Sequence, residues 1–304
     1  MAAFVEAGIT AFDCADIYTG VEELIGGFRR DFPALARQVR VHTKFVPDAD
    51  RLESTDSAAV EAIIDRSLKR LGQSRLDLVQ FHWWDYAVPR YVEVGLELER
   101  LRRKGKIDRI GLTNFGTKQV RELVAAGVPV FSHQVQYSIL DDRPAYGMAE
   151  VCAGHGIALL CYGTVAGGFL SERWLGAPAV EAGLANRSLT KYRLIIDEFG
   201  GWALFQQLLQ ALKTVADRHG VDIATVATRL MLDRPGVAAA IVGATSTAHL
   251  ARHQAIGSLR LDDADHRAVA AVTARREGPS GEVYALERNR AGPHGRIMRY
   301  TLNR

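Results

Sequence analysis

Cysteine is scarce. Cys14, Cys152 and Cys161 are odd in number, widely separated and embedded in apolar runs. That excludes a disulfide scaffold, and buried free thiols in a reducing compartment are expected. No CxxC, HExxH or His-rich tract occurs, so no metal set is legible. No apolar run approaches the ~18 residues of a membrane helix. Residues 1–8 contain Glu6 and lack both a basic segment and a long apolar one, so no leader peptide is expected and the location is read as cytoplasmic. The dinucleotide fingerprint GxGxxG and the phosphate loop GxxxxGK[ST] are also missing. An excess of one charge is missing too: 38 Lys and Arg face 35 Asp and Glu in 304 residues, a formal +3. With 48% apolar residues this excludes a disordered chain and a histone-like polycation. The surplus lies in residues 276–304, where six Arg face three Glu, and the plain reading is a solvated C-terminal arm.

What the chain does have is alternation. Short β-branched or apolar runs at 9–14, 39–45, 76–82, 107–113, 128–136, 157–162 and 238–242 read as strands, and amphipathic stretches between them read as helices. Ser54-Thr55-Asp56 caps a helix with Val60, Ile63, Ile64, Leu68 and Leu71 on one face, closed by Gly72. Pro144 stands where a first helical residue would, ahead of Met148, Val151 and Cys152, with Gly156 as the stop. Residues 201–219 and 222–232 form two more helices. Val92, Val94, Leu96 and Leu98 alternate as a strand would, yet the basic end Arg102-Arg103-Lys104-Gly105 suits a helix C-terminus, so helix is expected. Evenly paced βα units without a dinucleotide fingerprint favour a closed α/β barrel over an open doubly wound sheet, and in a barrel functional groups collect at the C-terminal strand ends.

Those ends carry chemistry. The first three strands end in Asp13 to Tyr18, in Thr43-Lys44-Phe45, and in His82-Trp83-Trp84-Asp85. An acid, a phenol, an ammonium and an imidazole would share one mouth. This suits proton donation to a carbonyl: a neighbouring cation such as Lys44 stabilises a phenolate, and Asp13 would compensate the burial of that cation. His82 would hydrogen-bond the substrate oxygen and relay the proton. A protonated carbonyl needs a donor for its carbon, and hydride from a nicotinamide is the economical one.

Gly8-Ile9-Thr10-Ala11-Phe12-Asp13-Cys14-Ala15-Asp16-Ile17-Tyr18 with Glu22-Glu23-Leu24-Ile25-Gly26 resembles the signature of the aldo-keto reductase superfamily. The likeness continues through Thr43-Lys44, Leu76 to His82, Gly105-Lys106-Ile107, Gly111 to Phe115 and Gln134 to Tyr137, covering residues 8 to about 260. It implies a (β/α)8 TIM barrel, NADPH or alternatively NADH as cofactor, and a catalytic tetrad of Asp13, Tyr18, Lys44 and His82. It implies a nicotinamide carboxamide held by Thr113, Asn114 and Gln134, with Tyr162 stacked on the ring. Gly163-Thr164-Val165 replaces the family's Ser-Pro-Leu. Residues 241–253 match the family's adenosine-phosphate segment through Gly243, Thr245, Ser246, His249, Arg252 and His253, although Gly243 and His249 stand where many members have Lys and Arg.

The family's first strand should precede a helix, and this sequence begins inside that helix. A barrel lacking its first strand, with residues 1–260 as its body and 261–304 as a C-terminal helix and Arg-rich tail, is therefore expected, and a misplaced start codon or a truncated record is the hypothesis for the missing strand. The function read is reduction of an aldehyde or ketone. The alternative is a cofactor-binding regulatory or redox-sensing subunit with little turnover. A small-molecule carbonyl substrate is the expected partner, with no nucleic acid and no membrane. Substrate choice would belong to loops at 83–90, with Trp83 and Trp84 as candidate walls, at 167–191 and at 278–304.

Overall fold

The computed structural model describes residues 1–180, 184 and 187–282. Seven strands run β1 (Ala11–Asp13), β2 (Arg40–Phe45), β3 (Leu76–Phe81), β4 (Ile107–Thr113), β5 (Val130–Gln136), β6 (Ala158–Tyr162) and β7 (Val237–Ile241). The helices are α1 (Ala2–Glu6), α2 (Val21–Asp31), α3 (Pro33–Ala36), α4 (Ser57–Leu71), α5 (Tyr91–Arg103), α6 (Thr117–Ala125), α7 (Met148–Gly154), α8 (Arg187–His219), α9 (Ile223–Leu232), α10 (Leu250–Ser258) and α11 (Asp263–Thr273). All seven expected strands are present, each ending within two residues of its expected limits. No helix among the described residues is long and apolar enough to cross a membrane. The three cysteines are buried free thiols, as expected.

The chain divides into two compact units, one of residues 1–134 with 151–158, the other of residues 135–150 with those from 159 onward. In the first, β1 to β5 pair in chain order and in parallel. Burial on both faces explains why β3 and β4 read as nearly continuous apolar runs. Register sets Lys44 beside Gln80 and Thr113 beside Gln134, so polar groups from consecutive strands line up at the C-terminal ends.

The helices of this unit follow from their sequences. Asp56 accepts from the Ala59 N–H at 2.8 Å and starts α4. Gly72, at φ 61°, ends it, with Gln73 N–H bonded to Leu68 O at 3.0 Å, a Schellman stop that a left-handed glycine permits. The alternating segment is helix: Tyr91, Val94, Leu98 and Leu101 of α5 are buried at helical spacing, while Leu96 is exposed. Gly26 in α2 is required by packing. A Cβ there would lie 2.0 Å from the Arg70 carbonyl oxygen on α4, so the two helices approach only because it is absent.

In the second unit β6 and β7 pair in parallel. Asp222 caps α9 through the Thr225 N–H at 2.8 Å, as its position predicts. The helix expected from residue 201 is the later part of α8, whose two segments meet at Gly200 and Gly201 (φ 133° and 76°). One expectation is corrected. Pro144 does not begin α7; it lies in a separate 3₁₀ turn, Arg143–Ala145, and Gly147 at φ 92° breaks the chain before the helix starts at Met148.

Gly26→Ala should destabilise the protein by about 1–3 kcal/mol through overpacking. Gly27→Ala, whose Cβ would meet only the Arg30 side chain at 3.6 Å, should not. Thermal melts of the pair check this, and equal melting temperatures would remove the close-approach argument.

Candidate active site

At the C-terminal ends of β1, β2, β3 and β5, four side chains form one hydrogen-bonded group. Lys44 Nζ donates to Asp13 Oδ2 at 2.6 Å and to the Cys14 carbonyl at 2.8 Å. The other carboxylate oxygen, Oδ1, accepts from Gln80 Nε2 at 2.8 Å and from Gln134 Nε2 at 2.7 Å. Gln134 Nε2 also donates to Gln80 Oε1 at 2.7 Å. An ion pair this deeply set, with side-chain exposures of 7% for Lys44 and 17% for Asp13, persists only when the remaining lone pairs are satisfied, and the two glutamines satisfy them. Gln80 lies within the Leu76 to His82 stretch of the sequence likeness, which assigns it no role. Its signal was its place two residues before His82 on β3, where strand alternation keeps it on the same face.

Tyr18 stands in the loop after β1, fixed by turn bonds from its N–H to Ala15 O at 3.0 Å and from Val21 N–H to its own carbonyl at 3.1 Å. The Lys44 ammonium lies over its ring, 5.2 Å from the centroid. At 47% exposure the phenol is open to an arriving molecule while its cation is buried.

His82 closes the group. Its Nδ1 lies 3.2 Å from the Thr113 carbonyl oxygen, which can only accept, so Nδ1 carries the hydrogen. Burial, reinforced by the Lys44 charge, lowers its pKa to about 4. The ring is therefore neutral near pH 7 and leaves Nε2 as an acceptor. Trp84 meets that ring edge-on, with centroids 4.6 Å apart, and is anchored by its N–H to Pro47 O at 2.7 Å. Trp83 lies elsewhere: it is buried in the core against Phe81, its N–H shared by the carbonyls of Asp85 and Val88, both at 2.9 Å. Of the two tryptophans, Trp84 is the one beside the polar group.

Asn114 adopts φ 59°, a left-handed conformation that Asn tolerates better than most residues, and its N–H bonds Gln134 O at 3.0 Å. Behind it, His133 Nε2 accepts from Phe115 N–H at 3.0 Å, and burial lowers its pKa to about 3.

Asp16 lies between Asp13 and Tyr18 and has no role in the sequence reading. Burial pushes its carboxyl up to about 7, with Glu22 adding to the rise and Arg66 Nη2, 3.5 Å away, opposing it. Arg70 of α4 donates to the Asp16 carbonyl at 2.9 Å and pairs with Glu22 at 3.4 Å and Glu23 at 2.8 Å. Glu22 in turn accepts from the Thr43 hydroxyl at 2.6 Å. Only the fold reveals this bracing of the Tyr18 loop, because its members come from β2, α2 and α4.

The remaining expected residues belong to the second unit. Lys191 lies over the Tyr162 ring, 5.4 Å from its centroid, and over Tyr192 at 4.3 Å. Gly163 (φ 75°) admits the Tyr192 hydroxyl, which would stand 2.4 Å from a Cβ. Thr164 is buried, with its hydroxyl 3.3 Å from that of Thr228. Gly243, Thr245, Ser246 and His249 lie on an exposed strip, Ser246 accepting from Ala248 N–H at 3.4 Å. Arg252 is paired with Asp222, and His253 is held below the usual histidine range by partial burial and by the charges of His249 and Arg252. The start of the 167–191 connection is packed: Phe169 and Leu170 are fully buried, and Phe169 meets Trp174 at 4.8 Å. Residues 181–183, 185, 186 and 283–304, which include most of the Arg-rich tail, lie outside the described residues. Among the described residues no group of three His, Cys, Asp or Glu side chains is placed to hold a metal.

Consecutive parallel strands with helices between them, carrying Asp, Tyr, Lys and His at or just after their C-terminal ends, define an α/β class of protein. A model of the Aldo/keto reductase family matches residues 1–274, and the chain belongs to that family. It is 30% identical to flagellar radial spoke protein 5 of Chlamydomonas reinhardtii over 72% of this chain and 49% of that one. It is 25% identical to the aldo-keto reductase YhdN of Bacillus subtilis over 89% of this chain and 81% of that one. The chain thus spans about half the length of the flagellar relative. Among solved structures, the glycerol dehydrogenase AKR11B4 of Gluconobacter oxydans superposes with a TM-score of 0.76 at 22% identity, over 92% of this chain and 86% of that one. The fold is the family's (β/α)8 TIM-barrel type, with seven parallel strands among the described residues.

The buried histidines and Asp16 act oppositely on stability. Between pH 6.5 and about 4 the unfolded chain protonates its histidines while folded His82 and His133 stay neutral, so stability falls as pH falls. Folded Asp16 keeps its proton up to about 7, so what it contributes is lost as pH rises from 3.8 through 7. His133→Gln should flatten the acid-side slope by on the order of 1 kcal/mol per pH unit, and Asp16→Asn should steepen it. Urea unfolding from pH 4 to 8 tests both, and parental slopes in both variants would mean these groups titrate normally in the folded protein.

Proposed function

We propose that the chain is a nicotinamide-dependent oxidoreductase that reduces an aldehyde or ketone, with Tyr18 as the proton donor. The observation carrying this reading is the buried Lys44 ammonium, tied to Asp13 and set over the exposed Tyr18 ring. As the phenol releases its proton, negative charge grows on its oxygen. An ammonium already in place stabilises that charge without reorganising. Asp13 acts through Lys44, and Gln80 and Gln134 act through Asp13, so these are positioning residues. Neutral His82, with Nδ1–H committed to Thr113, offers Nε2 as an acceptor for the hydroxyl of the alcohol product, while the proton that reaches the carbonyl oxygen comes from Tyr18. Trp84, beside His82, supplies an apolar wall for the substrate; Trp83 contributes by bracing the loop that carries Trp84.

NADPH is the proposed cofactor, with NADH second, and when bound it supplies the hydride. The donor set suits a carboxamide. Thr113 and Asn114 lie beside Gln134, whose amide hydrogens point to Asp13 and Gln80, leaving Oε1 without a donor among the described residues. Tyr162 offers a ring face, and Gly163 and Thr164 follow it where the family binds phosphate. The exposed hydroxyls of Thr245 and Ser246, with Gly243, His249, Arg252 and His253, would take the adenosine phosphate, provided Arg252 exchanges Asp222 for it. The substrate is a small carbonyl compound, and the proposed location is cytoplasmic.

Tyr18→Phe should lower the reduction of a generic aldehyde or quinone by at least about 10²-fold. NADPH binding, read by tryptophan quenching, should be unchanged. Equal turnover in both proteins would overturn the role of Tyr18. The likeness to a flagellar radial spoke protein favours a second reading, a nucleotide-binding subunit with little turnover. That reading predicts quenching by NADPH with negligible reduction even in the parent protein.

A further inference from the structure

A groove of about 990 Å3 between α2, α3 and α4 concentrates positive charge. Arg29, Arg30, Arg37, Arg66, Lys69 and Arg70 line it against a single acid, Glu23. In a chain whose total formal charge is +3, this clustering is local. Helix dipoles favour cations in the last turns of α2 and α4, which accounts for Arg29, Arg30, Lys69 and Arg70. They do not account for Arg66, a turn earlier, or for Arg37, beyond α3.

The acids already present leave half the cations unmatched. Arg30 pairs with Asp31, Arg66 with Asp16, and Arg70 with Glu22 and Glu23. Arg29, Arg37 and Lys69 have no carboxylate partner among the described residues. Arg29 Nε is buried without a hydrogen-bond acceptor, a state that is unfavourable unless something accepts from it. Gly26, which packs against the Arg70 carbonyl, and Gly27 also line the groove and add no side-chain bulk to it.

We propose that this groove is a binding site for an oligophosphate anion, such as a free polyphosphate or the phosphate chain of a nucleotide. Guanidinium forks match phosphate oxygens in pairs, and the volume suits a nucleotide-sized ligand. Among the described residues no aromatic side chain lines the groove, so these residues offer no platform for stacked bases of a single-stranded nucleic acid. Recognition rests on charge and geometry at the phosphates.

Arg66 and Arg70 also brace the Tyr18 loop, so the test uses the exposed Arg37 and Lys69. Calorimetric titration of the whole chain with inorganic tripolyphosphate should give saturable binding that weakens steeply between about 50 and 200 mM salt. Arg37→Gln/Lys69→Gln should weaken it at least about tenfold, and Arg37→Lys/Lys69→Arg should retain it. NADPH titration should be unaffected by either pair of changes. A nucleoside triphosphate binding as tightly as tripolyphosphate identifies the phosphate chain as the recognised part, whereas a much tighter nucleotide would overturn recognition by phosphate alone. Absence of binding, equal affinity in the glutamine variant, or displacement of tripolyphosphate by NADPH would overturn the proposal. So would binding of a duplex oligonucleotide without binding of tripolyphosphate.

Discussion

The Lys44 ammonium is buried, and the chemistry of the first unit is arranged around that constraint. A charge removed from water requires a counter-charge, and Asp13 supplies it at 2.6 Å. The carboxylate then has lone pairs of its own to satisfy, which brings in Gln80 and Gln134 from two further strands. Four side chains from four strands meet because parallel pairing in chain order aligns the strand ends. A slip of one residue in any strand would turn its polar group to the other face and leave a charge unpartnered. The ion pair is thus also a check on register.

Around this pair the protein separates charged from neutral groups. The imidazoles of His82 and His133 are kept neutral by burial, while Asp16, a few residues from the ion pair, is held partly protonated near neutral pH. The Lys44 ammonium over the Tyr18 ring thus supplies positive potential there, with His82 neutral. A cationic His82 would compete for that role and repel the ammonium. Beyond Asp16 the balance reverses, and Arg66 and Arg70 join the loop to a surface where cations outnumber acids.

Much of this was legible from local signals. Apolar runs marked seven strands, Asp56 and Gly72 marked the ends of α4, and strand ends carrying Asp, Tyr, Lys and His marked the candidate site. Where reading failed or stopped, the missing information was spatial. Pro144 looked like a helix start until the left-handed Gly147 separated it from α7. Trp83 and Trp84 are adjacent in sequence and chemically identical, yet the loop after β3 places one in the core and the other beside His82. Gln80 has no distinguishing feature in the string, because its role is to fill lone pairs on a residue 67 positions away.

By itself the sequence determined the βα alternation, the reductase-like set of reactive groups and the family to which they belong, since periodicity and residue type are properties of short segments. Only the tertiary structure decided which glutamines hold the carboxylate, which histidine nitrogen carries the hydrogen, and which arginines brace the Tyr18 loop. Those choices depend on distances of a few ångströms between strands and helices far apart in the chain, and burial, which sets the protonation of each group, exists only once they are packed.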